Sequence, residues 1–277
     1  MPIALGLCAA LFYGAADFCG GLATKRTSIF AVAIVSQAVG FAIILVVLPF
    51  FPASAGRADY GWGLLAGVCG GLGLALLYHA LSIGKMGVVS PITAVLAAIL
   101  PVVIGVLRGE RLSWFQTLGI VVALIAVVLI SLSVDDAGRR EFSTAGVKEA
   151  IASGIVLGGF YTFLALAGKH AGLYPLVAAR VGSVGFLILL ALVLRRNIRP
   201  GNGTMPLIVL AGAIDMTANA LYLLATFAGY LSIAAVLTSL YPASTVLLAR
   251  VVLNERLQSL QKFGVACALA GVVLIAL

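Results

Sequence analysis

Between residues 212 and 226 the chain reads GAIDMTANALYLLAT. Asp215, Asn219, Tyr222 and Thr226 fall at i, i+4, i+7 and i+11, so a helix sets all four on one face. A carboxylate, an amide, a phenol and a hydroxyl in one stripe can hydrogen-bond a polar molecule and can hold a proton or an ammonium group. One such residue in an apolar helix is commonly a packing group with a local partner. Four in line need a cavity, because lipid satisfies none of them. Arg180, in the preceding apolar stretch, is the candidate partner for Asp215.

Other stretches add similar groups. Tyr13 and Asp17 stand four apart on one helical face. Asp17 is either a proton site or ammonium acceptor, or a carboxylate near the membrane interface pairing with Lys25 or Arg26. Tyr78 and His79 are followed one turn on by Ser82, near the end of their apolar stretch. They are candidates for substrate contact or gating, against the plainer reading of a hydrogen-bonded packing histidine. GGFYTF supplies Tyr161, Thr162 and Phe163; further along stand Ser239 and Tyr241, and Thr93 lies in an earlier stretch. Pro91, Pro101 and Pro242 each remove a backbone donor and can bend a helix, as a static kink or beside a ligand.

Several chemistries are excluded. GxSxG and HExxH do not occur, and SIGKMG lacks the first Gly and the Ser/Thr of a phosphate-binding loop. No cluster of His or Cys accompanies His79, and no CxxC occurs, so neither a metal nor a cofactor is expected. The four cysteines lie in apolar runs, as packing thiols. A phosphate ester calls for several Lys or Arg, whereas two carboxylates and one arginine are the only charges placed deep. That balance suits a zwitterion or an apolar amphiphile.

The elements that hold these residues follow from composition. The 277 residues are 63% hydrophobic and 9% charged, with mean hydropathy +1.21. A soluble domain carries about 25% charged residues, so this chain needs lipid as its solvent. The net charge of +8 is scattered in short gaps, with no basic stripe for nucleic acid. Nor does the N-terminus show the basic region of a cleavable leader. Apolar runs long enough to span a bilayer are expected at 2–22, 29–48, 60–83, 86–107, 114–132, 145–168, 174–194, 205–227, 231–252 and 260–277.

A repeat organises them. GERLSWFQTLG at 109–119 returns as NERLQSLQKFG at 254–264, a shift of 145. At that shift 12 of the 23 residues from 110 to 132 are identical to 255–277, GF at 40–41 meets GF at 185–186, and LAG at 65–67 meets LAG at 210–212. Two five-helix halves, 1–134 and 145–277 with a connection at 135–144, are therefore expected. Five is odd, so the second half enters the membrane inverted, as secondary transporters do. Glu110 and Glu255 then lie at opposite faces, about 30 Å apart, each capping its own helix turn rather than sharing one substrate. Twelve Lys and Arg in one set of loops against four in the other place the first set in the cytoplasm and both termini outside.

With GERL and NERL each opening the last helix of a half, and YGAADFCGGLATKR in the first helix, the chain resembles the EamA family of the drug/metabolite transporter superfamily over its whole length. The resemblance implies an all-α inner-membrane protein of ten transmembrane helices, two inverted repeats around a central cavity. That cavity is lined by helices one to four and six to nine, and it works by alternating access. Bacterial members export amino acids and other metabolites, and an amino-acid exporter is implied as a near relative. The superfamily also holds multidrug pumps and sugar-phosphate or nucleotide-sugar exchangers; a passive channel is the remote alternative. The expected partners are a small-molecule substrate and the bilayer, with the monomer as the working unit. One departure from symmetry is Pro242, whose counterpart is Ala97, with Pro101 four residues beyond.

Overall fold

The computed structural model describes residues 1–84, 86–131, 145–253 and 259–277. The first half forms α1 (Pro2–Thr24), α2 (Ile29–Val47), α3 (Arg57–Ile83), α4 (Met86–Leu107) and α5 (Trp114–Ser131). The second forms α6 (Val147–Leu166), α7 (Tyr174–Val193), α8 (Met205–Ala228), α9 (Leu231–Thr238), α10 (Tyr241–Leu253) and α11 (Ser259–Ala276). Two 3-10 turns, Leu48–Phe50 and Lys169–Ala171, complete the described elements, among which there is no strand.

Six helices (α1, α2 with its 3-10 extension, α3, α6, α7 and α8) are long and apolar enough to cross a membrane, and shorter apolar helical stretches cover 92–107, 114–129, 231–245 and 262–275. Large apolar side chains such as Leu64, Leu65, Leu189, Leu192, Val193, Leu269 and Val273 are exposed on the outer faces. Water would penalise so much apolar surface, whereas acyl chains do not. The protein is an all-helical, multi-pass membrane protein. All four cysteines are free, and Cys8 is exposed rather than packed inside.

Two local differences from the sequence reading have simple causes. α3 begins at Arg57, ahead of the expected 60, because the Asp59 carboxylate accepts the N–H of Gly56 at 2.8 Å and closes a first turn there. The stretch expected as one helix at 231–252 is broken at Ser239 and Leu240 into α9 and α10. Pro242 has no N–H for the Thr238 carbonyl, so the chain tightens: Leu240 N donates to Leu237 O at 3.3 Å and Ala243 N to Leu240 O at 2.9 Å. α4 runs through Pro91 and Pro101 as one helix. The side chain of Pro91 lies outside the described residues.

α1 packs on α8, α9 and α10; α3 on α6 and α7; α4 on α6 and α9; α2 on α7 and α8; and α5 on α11. Glycine permits the closest crossings. A Cβ on Gly67 would lie 2.8 Å from Ala179 Cα of α7, and one on Gly212 would lie 2.9 Å from Ser36 Cα of α2. Gly67 and Gly212 are partners under the 145-residue shift, so the two halves use the same device.

Glu110 departs from its expected role. Its backbone N–H closes the turn after α4 on Gly105 O at 3.1 Å, but its side chain reaches the first turn of α9. Its carboxylate accepts Leu231 N at 2.6 Å, Ser232 N at 3.1 Å and Ser232 Oγ at 2.5 Å. The first N–H groups of a helix lack backbone acceptors, and an anion there also meets the positive end of the helix dipole. Glu255 lies outside the described residues. Asp59 makes a similar bridge, accepting Gly168 N at 2.8 Å and meeting His170 Nε2 at 3.0 Å in the loop before α7.

Candidate functional site

Eight of the helices line a cavity of about 60 Å³, and no described residue of α5 or α11 is among its lining. α1 supplies Tyr13 and Asp17, α2 Gln37, α3 Gly70, Leu74 and Leu77, and α4 Ala97. From the second half come Leu157, Phe160 and Tyr161 of α6, Arg180 of α7, Asp215 and Asn219 of α8, and Tyr241 of α10.

A charged network crosses one wall. Arg180, 5% exposed, donates Nη2–H to Asp215 Oδ2 at 2.8 Å and Nη1–H to Gln37 Oε1, and its Nε–H points at Met216 Sδ at 3.3 Å. Each nitrogen of the guanidinium therefore has a partner. Gln37 is held in turn: Ser183 Oγ donates to its Oε1 at 3.0 Å, and its Nε2 donates to Asp215 Oδ2 at 3.4 Å. Gly40, one turn on in α2, leaves room for the guanidinium, since a Cβ there would lie 3.2 Å from Arg180 Cζ. A buried ion pair persists only when such hydrogen bonds accompany it.

An aromatic and amide layer joins this network. Asn219 Nδ2 donates to Asp215 O at 2.6 Å, one helical turn back, and its Oδ1 accepts from Tyr13 OH at 3.0 Å. The Tyr161 ring lies 5.8 Å from Tyr13, 5.2 Å from Phe160 and 4.7 Å from Tyr222 between centroids. Tyr222 OH donates to the Tyr161 carbonyl at 3.0 Å, which fastens α8 to α6. The stripe Asp215, Asn219, Tyr222 thus faces inward, with Asp215 and Asn219 at the cavity and Tyr222 fully buried beside it. Thr226 closes on its own helix, donating to Leu223 O at 2.7 Å.

Two cavity groups lack partners. Asp17 makes no hydrogen bond or ion pair with a described residue; Lys25 and Arg26 are exposed beyond the end of α1. Tyr241 OH is buried and also has no hydrogen-bond partner among the described residues, as do Thr162 Oγ1 and Thr238 Oγ1.

Several sequence candidates lie away from the cavity. Tyr78 is buried against Gly20 of α1, in a separate core cluster with Val32, Leu187 and Ile208. His79, the next residue and so about 100° further around the helix, is exposed, as is Ser82, whose hydroxyl bonds His79 O at 2.7 Å. Thr93 ties α4 to α6 through Ala150 O at 3.3 Å. Phe163 stacks on Trp62 with centroids 6.0 Å apart. Ser239 bonds Val236 O at 2.7 Å within the break between α9 and α10. Gln37 was missed by the sequence reading. With Ser36 it is the only polar side chain in the 19 residues of α2, and the rule that singled out Asp215 applies to it equally. No group of three or more His, Cys, Asp or Glu among the described residues is placed to hold a metal.

The family model described as the EamA-like transporter family matches twice, at residues 1–132 and 144–277. An uncharacterized protein of Methanocaldococcus jannaschii is 29% identical over 133 residues, which is 47% of this chain and 96% of that protein. A solved crystal structure superposes with a TM-score of 0.75 at 17% identity, covering 99% of this chain and 95% of the other. At that identity the likeness is one of fold.

Proposed function

The chain belongs to the EamA-like transporter family of membrane transporters, and from that premise we propose that it is a secondary carrier working by alternating access. Its cargo is amino acids with aromatic or other apolar side chains, or related small metabolites, exported across the inner membrane by the monomer. The observation that carries the reading is the cavity between the two halves of the chain, where the Arg180–Asp215 pair, Gln37 and Asn219 meet the rings of Tyr13, Phe160, Tyr161 and Tyr241. Polar groups at helix middles mark substrate paths in membrane proteins. A phosphate ester fits less well, because the one lining arginine already has a carboxylate partner.

The proposed architecture is two inverted halves, 1–134 and 145–277, joined by 135–144, with both termini outside. Three observations support it. The family model matches once in each half. A relative matches over nearly its whole length yet covers only about half of this chain. The packing pairs also exchange under the 145-residue shift: α1 on α8 answers α6 on α3, and α2 on α8 answers α7 on α3. In such a carrier, Glu110 on α9 and Asp59 on the loop before α7 close the same end of the bundle, and both contacts break when that end opens.

The test is uptake into liposomes of a panel of amino acids, with and without a pH gradient. The expected result is saturable flux with competition between substrates. Flux linear in concentration with no competition refutes the carrier and indicates a pore.

A further inference from the structure

We propose that Asp17 and Tyr241 form a receptor for the ammonium group of an organic amine, and that the site favours amines without a carboxylate over zwitterionic amino acids. The inference rests on the carrier reading and, of the two cargo classes proposed for it, selects the related small metabolites over the amino acids.

The argument begins with partners. Asp17 lines the cavity and contacts no cation or donor among the described residues. Tyr241, 4% exposed, lines the same cavity, and its hydroxyl is buried with no hydrogen-bond partner among the described residues. The two elements are fastened together, since Thr245 Oγ1 of α10 donates to Gly14 O of α1 at 3.2 Å and Ser244 Oγ to Leu11 O at 2.8 Å. A half-buried carboxylate and a buried phenol left unmatched are costly unless something else completes them. An ammonium group does so with three donors, to the carboxylate and to the phenol oxygen.

The second step is charge. The ionisable acids and bases of the lining are Asp17, Asp215 and Arg180. Arg180 is spent on Asp215, Gln37 and Met216, so among the described lining residues no free cation awaits a substrate carboxylate. With both aspartates ionised the cavity carries one negative charge in excess. A monocation balances it; a zwitterion brings a second anion toward Asp17 and Asp215 with only neutral donors to receive it. The rings of Phe160, Tyr161 and Tyr13, which line the same cavity, supply apolar surface for the body of the amine.

The experiment measures binding to purified protein and flux in liposomes for phenethylamine, phenylalanine and 3-phenylpropionate. These share one ring and differ in charged groups. Phenethylamine is expected to bind tightest and phenylpropionate not at all. Asp17→Asn is expected to weaken phenethylamine about 10- to 100-fold, and Tyr241→Phe about 2- to 10-fold, with thermal midpoint and gel-filtration profile near wild type. If Asp17→Asn does not fold, Tyr241→Phe and the wild-type ranking decide. Phenylalanine binding as tightly as phenethylamine, or phenethylamine indifferent to both variants, overturns the receptor. Saturable phenylalanine flux without phenethylamine flux overturns it while leaving the carrier intact, whereas absence of saturable flux for the probes and the amino-acid panel refutes both.

Discussion

Asp215→Leu tests the network at its charged centre. The substitution strands the Arg180 guanidinium, whose side chain is 6% exposed, with only the Gln37 oxygen and the Met216 sulfur as partners. Removing one member of a buried ion pair costs about 3–5 kcal/mol. The Asp215 side chain is 20% exposed, so cavity water can approach the stranded charge, and a loss near the lower bound, ~3 kcal/mol, is expected. Adding Arg180→Met removes the stranded charge. Gln37 then keeps Ser183 Oγ as a donor at 3.0 Å, and two apolar side chains fill the wall. The double variant should lie within ~1 kcal/mol of wild type, which gives a coupling of at least ~2 kcal/mol between the positions. The assay is reversible unfolding in mixed micelles, followed by tryptophan fluorescence, across the four members of the cycle. A single variant as stable as wild type, or a double variant less stable than the single, refutes the argument that Arg180 depends on Asp215.

Gly67→Ala should destabilise the protein by about 1–3 kcal/mol, because the new Cβ meets the α7 backbone. Gly61→Ala in the same helix meets nothing within 4 Å and should be neutral or stabilising by up to ~1 kcal/mol, so the comparison of melting midpoints separates packing from propensity. Glu110→Ala removes the acceptor of three donors on the first turn of α9 and should cost about 1–3 kcal/mol, with faster amide exchange at Leu231 and Ser232. Asp59→Ala frees Gly56 N and Gly168 N, and hydrogen exchange should rise at both loops together; a rise at one alone contradicts the bridge. His79→Ala should leave transport near wild type, since the imidazole is exposed outside the cavity; a large loss of flux would return it to the site.

The helices and their repeat were legible because lipid imposes a simple rule. A spanning segment must be long, apolar and internally hydrogen-bonded, and six of the described helices meet that rule outright, with four shorter apolar stretches beside them. The repeat was legible because Glu, Arg, Gln and Gly stand out against a background of Val, Leu and Ala. The stripe through Asp215 was also visible, since helical spacing alone sets its members on one face. Facing is a different matter. Tyr78 and His79 look alike in sequence, yet one residue of rotation buries the first against Gly20 and exposes the second.

Partner choice was not legible either. The shift of 145 relates Glu110 to Glu255 but says nothing of what each carboxylate meets, and Glu110 meets a helix that begins 121 residues later. Arg180 and Asp215 are separated by most of α7, the connection at 194–204 and the first half of α8, so only the packing of α7 and α8 on α2 gives the guanidinium its three partners. The same packing leaves the Tyr241 hydroxyl, and the Asp17 carboxylate in the same cavity, without a partner among the described residues. The sequence by itself determined which polar groups stand within long apolar stretches, because that depends on local composition alone. Which of those groups neutralise one another, and which remain free for a ligand, was decided by tertiary structure, because hydrogen bonds form within about 3 Å between atoms whose separation along the chain carries no information about distance.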